Sequence, residues 1–145
     1  KWIRKYFATT LNNLVVSGKT IPIADFRLPN NSNAYILMTT EDKTHVQENK
    51  CNKVWNFSQT LDIVTVYDGN SGSRLLCDDI QEAVLNACNN ISIEHFTVID
   101  KGYEFAPDLS TQTTTSTIFR KIIIFNLKLI ENGSKRRKFN SLRMG

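Results

Sequence analysis

Few residues in this chain have the type and spacing that chemistry needs. Asp78, Asp79 and Glu82 are the densest carboxylates in an ordered stretch, and paired acids of this kind serve general acid–base catalysis or hold a hard cation. On a helix, however, Asp78 and Glu82 stand four residues apart on one solvated face. Asp68-Gly69-Asn70-Ser71-Gly72 begins like a calcium loop, but no glutamate falls at the closing position, and a tight strand-to-helix turn accounts for it. His45 and His95 have no partner at metal-ligand or triad spacing. No serine sits in a nucleophile elbow, and the glycines form no phosphate-binding loop. We therefore expect no catalytic, metal-binding or cofactor-binding residues, and a protein that is not an enzyme.

Cys51, Cys77 and Cys88 are an odd set without a close pair. Cys77 and Cys88 fall on one predicted helix about 16 Å apart, which is too far to bridge. Free thiols in a reducing compartment are the expectation. Four Asn-x-Ser triplets begin at Asn30, Asn56, Asn90 and Asn132; in so asparagine-rich a chain they read as coincidence rather than glycosylation sites. The chain starts without Met, so we expect processing or trimming ahead of Lys1, and the basic start Lys1-Trp2-Ile3-Arg4-Lys5 lacks the uninterrupted apolar run of a secretory signal. No apolar run approaches the roughly 20 residues that cross a bilayer, so no membrane partner is expected.

The elements that would position any site are clearer. The 145 residues, 41% hydrophobic and 22% charged, fit one domain that buries roughly 70% of its unfolded surface. Ile3, Phe7, Leu11, Leu14 and Val15 predict a helix over 1–15, closed at Ser17-Gly18. Lys19–Phe26 alternates like a strand, and Pro22 places it at an edge or beside a bulge. Ala34–Thr40 reads as a compact strand and 41–50 as a polar loop. Cys51–Tyr67 reads as one long strand, bent near Ser58-Gln59. Both faces of 61–67 are mostly apolar, as expected of a central strand covered on both sides, one cover being a helical layer and the other a second subunit. A helix follows over Ser73–Cys88, capped by Ser73 and buried through Leu76, Ile80, Ala83, Val84 and Ala87. Ile93–Ile99 is a short strand, 101–115 a loop, and Thr117–Ile130 a second long strand. In that strand Phe119, Ile123, Phe125, Leu127 and Leu129 make the core face, interrupted by Lys121; the opposite face is mixed. The fold class is therefore α+β: a single domain over 1–131 with a mainly antiparallel twisted sheet, two long strands, and a covering N-terminal and central helix. Residues 132–145 form a basic tail.

The net charge of +4 is concentrated in that tail. Lys135, Arg136, Arg137, Lys138 and Arg143 follow the last carboxylate, Glu131, as an arm that is either solvated or docks on an acidic neighbour or on phosphates. Arg120-Lys121 puts two cations into an apolar strand, so one of them points toward the core side or lies at its rim. Either their stems snorkel at a strand end, or they form salt bridges to another subunit. Trp2, Tyr6, Trp55, Phe57 and Tyr67 are core or interface anchors; a base-stacking strand would interleave exposed aromatics with Arg and Lys, and that pattern is absent.

Leu61-Asp-Ile-Val-Thr-Val-Tyr67, the Gly72-Ser73-Arg74 turn, the helix with Asp78-Asp79-Ile80, the Gly18-Lys-Thr-Ile-Pro-Ile23 strand and the closing Ile118–Phe125 run together resemble the tail-terminator or tail-completion proteins of tailed bacteriophages, which take part in head–tail joining. The resemblance covers most of residues 1–131 and leaves the tail outside. It implies a virion protein of the neck or tail, assembled in the host cytoplasm. It implies a homo-oligomeric ring, six subunits favoured and twelve as the alternative, next to neck, portal-side or tail proteins. DNA passes through its channel without sequence specificity. The resemblance brings no catalytic residue and no cofactor. On this reading Arg120, Lys121, Tyr67 and Trp55 are candidates for the subunit interface, and the tail cations for a partner or DNA. The alternative is a small nucleic-acid-binding protein that uses the tail.

Overall fold

Ile3, Phe7 and Leu11 recur every four residues, and that spacing winds α1 (Trp2–Thr10) with Ile3 and Phe7 buried. The computed structural model describes residues 1–25, 33–46, 53–69, 72–106, 110–112 and 115–132. The helix stops short of the predicted Val15. Asn13 takes a left-handed φ of 60°, and Leu14–Val16 (β1) turns back on Lys19–Ile21 (β2) as an antiparallel hairpin. Ser17 and Gly18, at φ 52° and 77°, are the two central residues of that turn. Positive φ at both positions matches the right-handed twist of the two strands. Ser17-Gly18 therefore closes a hairpin rather than a helix. Pro22, which has no N–H, separates β2 from Ile23–Ala24 (β3); its carbonyl accepts the Ile36 N–H at 2.9 Å, and β3 lies parallel to the next strand at the sheet edge.

The main sheet has the order β3-β4-β5-β8-β6, with β7 paired to β8. β4 (Ala34–Val46) continues through the segment read as a polar loop as far as Val46. That half is polar because its side chains are mostly exposed, while its backbone pairs with β5 (Val54–Asp68). The irregularity falls on β4, between Met38 and Glu41, and not in β5 at Ser58-Gln59. The buried Gln59 amide donates to the Thr40 carbonyl there at 3.3 Å, satisfying a bulge carbonyl. β5 and β8 (Ser116–Glu131) pair from Val54↔Ile130 to Asp68↔Ser116, an unbroken ladder along the two longest strands. β6 spans Phe96–Phe105, shifted toward the C-terminus from the predicted 93–99, and β7 is Thr111–Gln112. Lys101-Gly102 is strand, not loop. The predicted strand start is a turn, with His95 at φ 71° and its ring on Trp2, centroids 4.3 Å apart.

The second helix, α2 (Leu75–Ala87), starts one residue after Arg74, and the Ser73 hydroxyl accepts the Leu75 N–H at 2.9 Å. Gly72, at φ 111°, is required ahead of it, because a Cβ there would overlap the Tyr67 ring. Both helices lie on one face of the sheet. Phe7 meets Phe125 with ring centroids 5.0 Å apart, and the Cys77 thiol approaches the Ile63 carbonyl at 3.7 Å. The core between them holds Ile80, Val84, Leu61, Ile63, Ile123, Leu127 and Leu129. Burying side chains of this size contributes roughly 1.5–3 kcal/mol each. The molecule is thus an α+β domain with a mostly antiparallel sheet under two helices.

Candidate functional site

Because strand side chains alternate, the ladder that builds the core also builds a second face. No helix among the described residues lies on it. The register arranges this face in rows. Thr44, Asn56, Lys128 and Asp100 stand side by side across β4, β5, β8 and β6, and Asp42, Ser58, Asn126 and Gly102 form the next row. Together they line a concavity of about 450 Å³. Farther along, Thr60, Ile124 and Glu104 lead to Leu37, Asp62 and Ile122, then to Tyr35, Val64 and Arg120. The face is therefore polar at one end and mainly apolar at the other. Leu37, Ile118, Ile122 and Ile124 are only half-buried.

The charges of the apolar end are paired within the chain. The Arg120 guanidinium holds both Asp62 carboxylate oxygens, one through Nε at 3.3 Å and the other through Nη2. Asp62 is 6% exposed and Arg120 35%. The hydrogen bond to Asp62 raises the Arg120 pKa, against the effect of burial. Tyr35, next to the pair, has its pKa raised by burial and then by the Asp62 charge. The Arg120 backbone N–H donates to the Ser110 hydroxyl at 3.3 Å. Lys121 points to the helical face and reaches the rim, where Nζ meets Asp78 at 2.9 Å. An ion pair this exposed contributes about 1 kcal/mol at most. Of the acids singled out by spacing, Asp78 thus serves Lys121.

Trp55 is half-buried; its indole N–H donates to Glu131 at 3.1 Å, and Lys43 Nζ stands 4.1 Å from its ring centre. His45 packs on the same ring with centroids 4.7 Å apart. Tyr67 packs edge-on to Phe119 at 5.8 Å. The four interface candidates do not converge: Arg120 lies on the second face, whereas Lys121, Trp55 and Tyr67 lie on the helical side. Lys135, Arg136, Arg137, Lys138 and Arg143 lie outside the described residues, as does Cys51. Cys77 and Cys88 are buried free thiols, and burial pushes the Cys88 pKa up to about 11.

Two features escaped the sequence reading. Asp62 was the signal for the first: an acid inside Leu-Asp-Ile-Val, matched by a cation inside the other long strand. The second is the aromatic pair Tyr103 and Phe105 on β6, 54% and 53% exposed, in a segment read as loop. Among the described residues no group of three His, Cys, Asp or Glu side chains is placed to hold a metal ion, and no helix is long and apolar enough to cross a membrane. The arrangement can bind another surface along its strands and second face. No protein-family model matches the sequence, and comparison with curated proteins finds no match.

Proposed function

We propose that the chain is a structural subunit of a ring in the neck or tail of a tailed bacteriophage, a part of head–tail joining or tail completion that surrounds a DNA channel. The observation that supports this reading is the second face of the long β5–β8 ladder, on which no helix lies among the described residues and Leu37, Ile118, Ile122 and Ile124 are half-buried. On that face Tyr35, Asp62 and Val64 are already buried within the chain. A neighbour's surface over the half-buried positions would complete the burial, which suits closure through neighbours. The opening helix, the long strands and the central helix are the elements on which the resemblance described above rests. Arg120, paired with Asp62 within the chain and still 35% exposed, lies on this face as one of the candidates for contact with a neighbour.

Negative-stain electron microscopy and native mass spectrometry of the purified chain, alone and mixed with neighbouring neck proteins, test this. Closed rings of six or twelve copies support it; a persistent monomer in both samples refutes it. The alternative, a small nucleic-acid-binding protein acting through its tail, draws on the five cations after Glu131. It is favoured instead if the monomer binds DNA with an affinity that falls steeply with salt and vanishes without residues 133–145.

A further inference from the structure

β6 borders the sheet and pairs only with β8. Among the described residues no strand pairs its outer edge, or the outer edge of β4 beyond the two positions that β3 occupies, Ile36 and Leu37. An open edge is a template for another strand, and monomeric proteins blunt such edges with charges, prolines or bulges. The first half of β6 is blunted in this way. A bulge falls between Val98 and Asp100, and the Lys101 N–H is taken by the Asp100 carboxylate at 2.9 Å. The second half has no bulge or proline, and its one charge, Glu104, accepts from the Asn126 amide at 3.3 Å on the second face. Gly102 has open space where a Cβ would stand, and Tyr103 and Phe105 present rings 5.5 Å apart that are more than half exposed. With Ile99, β6 carries three of the five exposed large hydrophobic side chains among the described residues.

Strand direction decides what fits this edge. β4, β5, β8 and β6 alternate in direction across the sheet, so β4 and β6 run oppositely at its two sides. All subunits of a ring whose axis follows the strands share one orientation. The β4 of a neighbour then meets β6 antiparallel and continues the alternation. We infer that the β4 edge of one copy adds to the 102–105 edge of β6 in the next, so that a head-to-tail sheet joins the subunits, with Tyr103 and Phe105 covered at each junction. This rests on the ring reading and adds to the second face an edge-to-edge junction between neighbouring subunits.

Single cysteines test it in a Cys51→Ser background, because Cys77 and Cys88 are buried. Chains with Asp42→Cys or Thr44→Cys are mixed with chains carrying Gly102→Cys or Glu104→Cys and oxidised mildly. A disulfide between unlike chains is expected, together with a ladder of multimers when both cysteines share one chain. Glu104→Cys bridging only to itself would mean two β6 edges meeting around a two-fold axis, and overturns the inference. Rings by native mass spectrometry without any of these cross-links also overturn it but leave the ring reading standing. Cross-links in open chains, with no closed rings, support the junction and sink the ring. As a second measurement, Tyr103→Lys with Phe105→Lys should abolish the ring population while the circular dichroism spectrum stays that of the parent; unchanged assembly overturns the inference.

Discussion

Replacing Arg120 with Leu should destabilise the folded chain by about 2–3 kcal/mol, chiefly through the carboxylate it leaves behind. Asp62 lies in the middle of β5, 6% exposed, and loses a two-pronged guanidinium partner. Breaking a fully buried pair from one side typically costs about 3–5 kcal/mol. The vacated site lies where Arg120 was 35% exposed, so water reaches Asp62 and the loss falls below that range. For a chain of this length it corresponds to roughly 10 °C in Tm. Urea unfolding followed by the fluorescence of Trp2 and Trp55 measures it, with an unchanged m-value as the sign that only stability has moved. Adding Asp62→Asn to Arg120→Leu should recover most of the loss, because no buried charge then lacks a partner. A single variant within about 0.5 kcal/mol of the parent would refute the reasoning. Arg120→Glu should fail at folding before assembly, since it sets a second carboxylate against Asp62.

Gly72→Ala should cost about 1–3 kcal/mol in the same unfolding assay, from its left-handed φ and its overlap with the Tyr67 ring. Cys88 gives a pH dependence: its folded pKa of about 11 lies above the ordinary thiol value of 9.0. The stability it contributes is complete below pH about 9 and is lost as the pH rises toward about 11, because the unfolded thiol ionises first. Urea midpoints from pH 8 to 11 should fall less in Cys88→Ala than in the parent; parallel curves would contradict this. Removing residues 133–145 should leave the circular dichroism and melting curve of the domain intact while flattening the salt dependence of any DNA binding, read by fluorescence anisotropy. A cooperative loss of the fold would show that the tail belongs to it.

Long, strongly periodic segments were legible in the chain. The spacing of Ile3, Phe7 and Leu11 marked α1, and that of Leu76, Ile80, Ala83, Val84 and Ala87 marked α2. Only Ile80 and Val84 of that second stripe are fully buried, with Cys77 beside them, and Ala87 is exposed. The alternating Phe119–Leu129 set marked the core face of β8, with Ile123, Phe125, Leu127 and Leu129 all buried. Exposed strands were not legible. Residues 41–46 and 101–105 have polar or mixed side chains because little covers them, so they carry no pattern that separates strand from loop. The β1–β2 hairpin was hidden because Leu14 and Val15 continue the helical spacing, although Ser17-Gly18 between two short apolar runs was a turn signal.

By itself the sequence determined most of the residues that turn inward on the long elements, though not Val15 or Ala87, because burial follows the periods of helix and strand, and with them the fold class. It also showed opposite charges in two long strands and a cation-rich end. Only the tertiary structure decided their partners. Asp62 and Arg120 lie 58 positions apart, and it is the β5–β8 register that puts them on one face, in one chain. Register likewise made β6 an edge and left Tyr103 and Phe105 exposed on it. Local periodicity fixes the direction of a side chain, but pairing between distant strands fixes what it meets.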